Sequence, residues 1–199
     1  MSEHDSTSLE HAAGRHPISL VVTDDLKRSR LTVLLRLLLT IPHAIWLALW
    51  GIAACLAVVV AWFVGIFTGR VPDGLHAFVA TYTRYQVHVY AYSTIAANPF
   101  PGFTGAPGYP VDLVVAPAVK QSRLTIFFRI LLAIPAFVIL YVLQIVASVV
   151  TILAWFYALF LGRLHPGMRD VLAYWLRYQA QTTGYVCLLT QRYPSFSDD

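Results

Sequence analysis

Two stretches of the chain, 31–68 and 124–161, are apolar almost without interruption. As a single helix each would measure about 57 Å at 1.5 Å per residue. The hydrocarbon core of a bilayer is about 30 Å thick, and one crossing needs about 20 residues. Each run is therefore nearly twice too long for one perpendicular crossing. Three arrangements follow. In the first, each run is a helical hairpin that enters and returns, turning near Gly51 in one run and Gln144 in the other. In the second, residues 31–41 lie along the interface and the chain crosses once, from Pro42 to Thr68. In the third, the next helix of each copy completes a second crossing and carries Arg84 and Arg177 to mid-membrane, at a cost of about 2.5–3.5 kcal/mol each. Charge placement favours the hairpin, because it leaves every Lys and Arg on one side.

Shorter patterns flank the runs. Ile18, Leu20 and Val22 alternate with their neighbours, as do Val111, Leu113 and Val115, which predicts two short strands able to pair. Basic approaches follow, with Lys27, Arg28 and Arg30, then Lys120 and Arg123. After each run comes a Gly-Arg loop and a helix rich in aromatics, about 75–96 and 168–189. On a helical wheel, Leu75, Phe78, Val79, Tyr82, Tyr85, Val89 and Tyr92 share one face, and His76, Thr81, Arg84 and His88 the other. Such helices belong at a membrane interface or against the protein's own membrane helices.

These elements recur because the chain is one unit written twice. Residues 16–103 align without a gap on 109–196 at an offset of 93, with 31 identities over 88 positions. The predicted architecture is an all-α integral membrane protein of two tandem repeats, 16–103 and 109–197. Each repeat holds a short β-strand, a long hydrophobic helical run with a hairpin turn, and an amphipathic interfacial helix. A polar tail, 1–15, precedes them; it reads as disordered, and it lacks the basic start and apolar core of a cleaved signal peptide.

Composition sharpens this picture. Apolar residues make up 58% and charged residues 12% of 199 residues, and mean hydropathy is +0.64. A net charge of +4, scattered along the chain, gives no nucleic-acid footprint. Cys55 and Cys187 stand in apolar stretches and read as small buried hydrophobes, with no disulfide or metal spacing. No acidic residue occurs in 26–72 or 113–169, which argues against proton relays and cation-coupled transport.

Few residues are candidates for function. Arg36 and Arg129 lie one to two turns inside the runs. They read as side chains snorkelling to headgroups, or as sites for a lipid phosphate or a partner's carboxylate. Arg70, Arg163, Arg84 and Arg177 are further headgroup or partner contacts. Gln86 and Gln179 fall on the apolar faces of the aromatic helices, at aligned positions in a shared Arg-Tyr-Gln. They call for a structural hydrogen bond, such as to a carbonyl freed by Pro42 or Pro135. No catalytic, cofactor or metal motif is present, so no enzyme activity and no cofactor are expected.

The phrases RLLLTIPH, AWFVGIFTGR, the Arg-Tyr-Gln helix and the closing Phe-Pro-x-Phe or Tyr-Pro-x-Phe resemble a family of bacterial integral membrane proteins named only as domain of unknown function 4389, here in two tandem copies. Copy two departs at Leu164-His165-Pro166-Gly167, where copy one has Val71-Pro72-Asp73-Gly74. The resemblance implies a location in the bacterial cytoplasmic membrane and supplies no activity. Two functions fit. The first is a multi-pass structural or accessory scaffold whose partners are membrane lipids, a membrane protein or a second copy. The second is binding or transport of a lipid or small solute between the repeats.

Overall fold

The two short strands pair, and their register reveals the symmetry of the molecule. A computed structural model describes residues 16–197; the expected disordered tail, 1–15, lies outside the described residues. Strands β1 (Ile18–Val22) and β2 (Val111–Val115) are antiparallel, with Leu20 opposite Leu113. These two leucines are equivalent in the repeat, so a two-fold axis passes between them, as an isologous pair requires.

The remaining elements obey the same axis. They are α1 (Arg30–Thr68), α2 (Asp73–Ser93), the short α3 (Arg123–Phe127), α4 (Arg129–Leu161) and α5 (Pro166–Val186). At one end the Arg28 amide donates to the Gly162 carbonyl, and at the other the Gln121 amide donates to Gly69. The indole of Trp155 donates to the Val33 carbonyl, and that of Trp62 to Ile126. The start of α1 thus meets the end of α4, and the end of α1 meets α3, so α1 and α4 run antiparallel. Both long helices end on a glycine in the left-handed conformation, Gly69 and Gly162, which lets the chain leave the last turn without strain.

The hairpin expectation is corrected here. α1 is one continuous helix of 39 residues, and α4 continues α3 with helical hydrogen bonds bridging the irregular Phe128. Gly51 and Gln144 sit inside unbroken helix. A lone glycine costs only about 1 kcal/mol there, too little to turn a chain whose flanks are strong helix formers. Pro42 and Pro135 are likewise carried inside the helices.

Each long helix buries only a narrow stripe. In α1 this holds Ala54, Ala57, Ala61 and Gly65, small residues that permit close approach; Gly65 packs on Ile126. The rest of α1 and α4 exposes large apolar side chains from Leu31 and Leu37 to Phe67, and from Ile130 to Phe160. Both helices are long and apolar enough to cross a membrane. Cys55 is exposed on α1, contrary to its expected burial.

The aromatic helices form the core. Tyr85, Val87, Ala91 and Tyr92 of α2 and Leu172, Leu176 and Tyr178 of α5 are inaccessible, and α2 meets α5 where Tyr90 packs on Trp175. The wet face drawn for α2 is also corrected. His76 and His88 are buried, because the second repeat and the ribbon cover the side that the wheel left open: His76 Nε2 bonds the Leu189 carbonyl and His88 Nε2 bonds Asp112.

Candidate functional site

The two arginines inside the apolar runs do not snorkel. Arg36 and Arg129 are each only 1% exposed, among the largest fully buried side chains. Each reaches across to the C-terminus of the aromatic helix in its own repeat. Arg36 Nη1 donates to the carbonyls of Tyr92 (2.7 Å) and Ala97 (3.0 Å). Arg129 Nη1 donates to those of Tyr185 (2.7 Å) and Thr190 (2.6 Å). Helix ends leave carbonyls without intrahelical partners and carry partial negative charge, so a guanidinium is matched to them. Each guanidinium also lies over an aromatic ring, Tyr92 at 4.4 Å and Tyr185 at 4.6 Å. Pairing with carbonyls and a ring tolerates the burial of a charge that no carboxylate neutralises.

The two copies then diverge. Arg129 Nη2 donates to Gln121 Oε1 at 2.6 Å, and Gln121 Nε2 to the Leu188 carbonyl. The residue aligned with Gln121 is Arg28, which has no acceptor to offer. Arg28 turns instead to Asp24, at 2.6 Å with both side chains buried, and to the carbonyls of Ile95 and Ala96. Arg36 Nη2 is consequently buried without any hydrogen-bond partner; its Nε is unpartnered too, as is that of Arg129. Ile95, a β-branched residue, takes a left-handed φ of 68° beneath this cluster, an uncommon conformation that the grip of Arg28 helps to hold.

A cavity of about 300 Å³ opens beside Arg36, between the repeats. Its lining includes Ser93 and Ile95 from repeat one and Thr151, Ile152 and Trp155 from repeat two. At the symmetry-related place, Ser93 and Thr151 are replaced by Val186 and Val58.

The other sequence-derived candidates lie elsewhere. Arg84 Nε donates to the Leu113 carbonyl at 2.8 Å and stands 3.6 Å from Asp112, fastening the ribbon. Arg177 stacks on Tyr174 and donates to the Phe196 carbonyl. Arg70 pairs with Asp73 in solvent, and Arg163 bridges to Lys27. Gln86 and Gln179 bond one turn along their own helices, to the Tyr90 hydroxyl and to Thr183, rather than to carbonyls freed by proline. Their Oε1 atoms are buried without partners.

Under the ribbon, His88 and Asp112 form a compact polar cluster at 2.8 Å, with Tyr109 packed on the imidazole. Burial lowers the His88 pKa, and Asp112 only partly offsets this. Burial alone would raise the Asp112 carboxyl, but donation from the Gly108 amide, His88 and the Leu113 amide outweighs it and holds the group below its ordinary value. Among the described residues no group of three metal-ligating side chains gathers.

Sequence reading missed Ser93, Thr151 and the Arg28–Asp24 pair. The available signals were exchanges at aligned positions of the repeat: Arg28 for Gln121, Ser93 for Val186 and Thr151 for Val58. A family model described as Domain of unknown function (DUF4389) matches residues 30–104 and 123–198. No curated protein and no solved structure matches the chain.

Proposed function

Because the chain belongs to the DUF4389 family and carries its domain twice, we propose that it is a membrane-surface scaffold, with α1 and α4 lying in the plane of one leaflet rather than crossing it. The observation that carries this reading is the two-fold axis through Leu20 and Leu113. Two antiparallel helices related by a two-fold lie perpendicular to it, so the ribbon sits opposite their mid-length. If α1 and α4 spanned the bilayer, the ribbon would lie at mid-membrane depth. A two-stranded ribbon has free edges, and open sheet edges do not occur in hydrocarbon. The cluster of Arg84, His88 and Asp112, with Asp112 in the ribbon itself, would share that depth. With the axis along the membrane normal, the ribbon faces water and the conflict vanishes.

Length and charge agree with this orientation. α1 measures about 58 Å, a poor match to a 30 Å hydrocarbon core. Lys27, Arg30 and Arg163 gather at one end of the long pair, and Arg70 and Arg123 at the other. An in-plane molecule brings both basic ends to headgroups on one side, in place of the multi-pass arrangement expected from sequence. Apolar helices inserted in a single leaflet expand it, which suits a scaffold on curved or crowded cytoplasmic membrane. The exposed outer faces of α1 and α4 meet lipid, and also offer surface for a membrane-protein partner or a second copy.

The test is a depth profile. Single nitroxides replace Leu31, Ile45 and Val59, all on the outside of α1, in a Cys55→Ser/Cys187→Ser background reconstituted in vesicles. The three labels should lie at one depth within about 5 Å. Crossing would distribute them along about 42 Å of helix, and a graded profile through the bilayer centre would remove the proposal.

A further inference from the structure

We propose that the cavity beside Arg36 is a binding site for one anionic phospholipid, whose phosphate seats on the free edge of the buried guanidinium. The two donors left without partners are Nε and Nη2. In a guanidinium these N–H groups leave on the same edge and nearly parallel, the fork that takes two oxygens of a phosphate or carboxylate at once. Nη1, on the other edge, is fully engaged with the carbonyls of Tyr92 and Ala97. The unsatisfied half of the group is therefore the half suited to an anion.

The second repeat serves as an internal control. There the same arginine is held the same way, but the Gln121 amide oxygen occupies Nη2, so only Nε stays unpartnered and the two-donor fork is closed. Copy one lacks that internal acceptor and has in its place a second cation, Arg28, whose charge is matched by Asp24. Arg36 retains a charge with no carboxylate partner. Buried donors without partners are uncommon in folded proteins because each costs about 1–3 kcal/mol. Here two occur on one side chain, next to a cavity rather than in solid packing.

The walls specify the remainder of the ligand. Ser93 and Thr151 bring hydroxyl groups where the other copy has valines. Their hydrogens are given to the carbonyls of Tyr90 and Ala147, which leaves oxygen lone pairs for the hydroxyls of a headgroup. Leu37 and Ile152, which line the same cavity, are 75% and 59% exposed and continue onto the apolar outside of α1 and α4. A free phosphate would leave this apolar exit empty, whereas acyl chains would follow it. The inference rests on the membrane reading only in that the chains meet lipid there. It does not depend on the orientation of the helices.

Native mass spectrometry of the full chain in mild detergent tests the site with dioleoylphosphatidylglycerol and dioleoylphosphatidylcholine as probes. The wild type should retain one phosphatidylglycerol in preference to phosphatidylcholine. Asp24→Asn/Arg28→Gln installs the acceptor of copy two and removes the ion pair as a unit; it should fold and reduce that preference at least about tenfold, the worth of one charge-assisted hydrogen bond. Ser93→Val/Thr151→Val, which uses the side chains of copy two, should do the same without touching any charge. No preference in the wild type, or preference retained in both variants with unchanged melting, would overturn the proposal. Inorganic phosphate displacing the lipid at equal concentration would overturn the lipid assignment in favour of a free anion. A graded depth profile would sink the in-plane reading and leave these results standing.

Discussion

Removing each buried arginine in turn separates what the two repeats share from what distinguishes them. Arg129→Met vacates the carbonyls of Tyr185 and Thr190 and the Gln121 amide oxygen, all within 2.7 Å of the guanidinium. Buried acceptors left without donors cost about 1–3 kcal/mol each, partly offset because the guanidinium no longer has to be desolvated. A net loss of about 4 kcal/mol follows. Arg36→Met vacates two equivalent carbonyls, those of Tyr92 and Ala97, and eliminates two unpartnered donors where Arg129→Met eliminates only Nε, so about 2 kcal/mol is expected. The losses common to both sites cancel in the comparison, and the difference of about 2 kcal/mol isolates the acceptor at Nη2. Denaturant unfolding in lipid-depleted detergent, followed by tryptophan fluorescence, measures both values. Equal destabilisation, or a larger loss at Arg36, would refute the reasoning, because it would mean that the free edge of Arg36 is already satisfied.

Three further outcomes follow from the same geometry. The folded-state pKa of His88 is depressed, so below pH 6.5 the unfolded chain takes up a proton that the folded protein resists; stability should fall as pH drops from 7.5 to 5.5, and His88→Gln should flatten part of that slope in denaturation midpoints. Trp62→Phe and Trp155→Phe each forfeit one hydrogen bond at opposite ends of the long helices; each should cost about 0.5–1.5 kcal/mol, and the double variant should be additive in the same assay. Val89→Glu should prevent folding, since Val89 is buried and a carboxylate there has no partner, whereas Ala77→Glu, on an exposed position of α2, should melt within about 0.5 kcal/mol of wild type.

Much of the architecture was legible in the chain. The gapless repeat implied two equivalent units, and the alternation around Leu20 and Leu113 implied strands that could pair. The positions of the apolar runs and aromatic helices were readable because periodicity is a property of local sequence. The hairpin reading failed for an equally local reason. Gly51 and Gln144 are weak signals, and nothing nearby compels a turn, so helical hydrogen bonding persists through both positions. The wheel of α2 failed differently. A wheel finds the most apolar face, but His76 and His88 are covered by elements far along the chain, Leu189 and Asp112.

Sequence by itself determined the duplication, the apolar length of α1 and α4 and the aligned placement of Arg36 and Arg129. All of these are set by residue identity and spacing along one strand of chain. Tertiary structure alone decided what the arginines do. Their acceptors lie 56 and 61 residues away, at the ends of α2 and α5, and burial there turned side chains expected to reach for headgroups into caps on helix ends. It also decided that only one of the pair leaves both donors of that edge open. Hydrogen-bond satisfaction depends on which groups meet in space, and the meeting of Arg129 with Gln121, against the diversion of Arg28 to Asp24, exists only in the folded molecule.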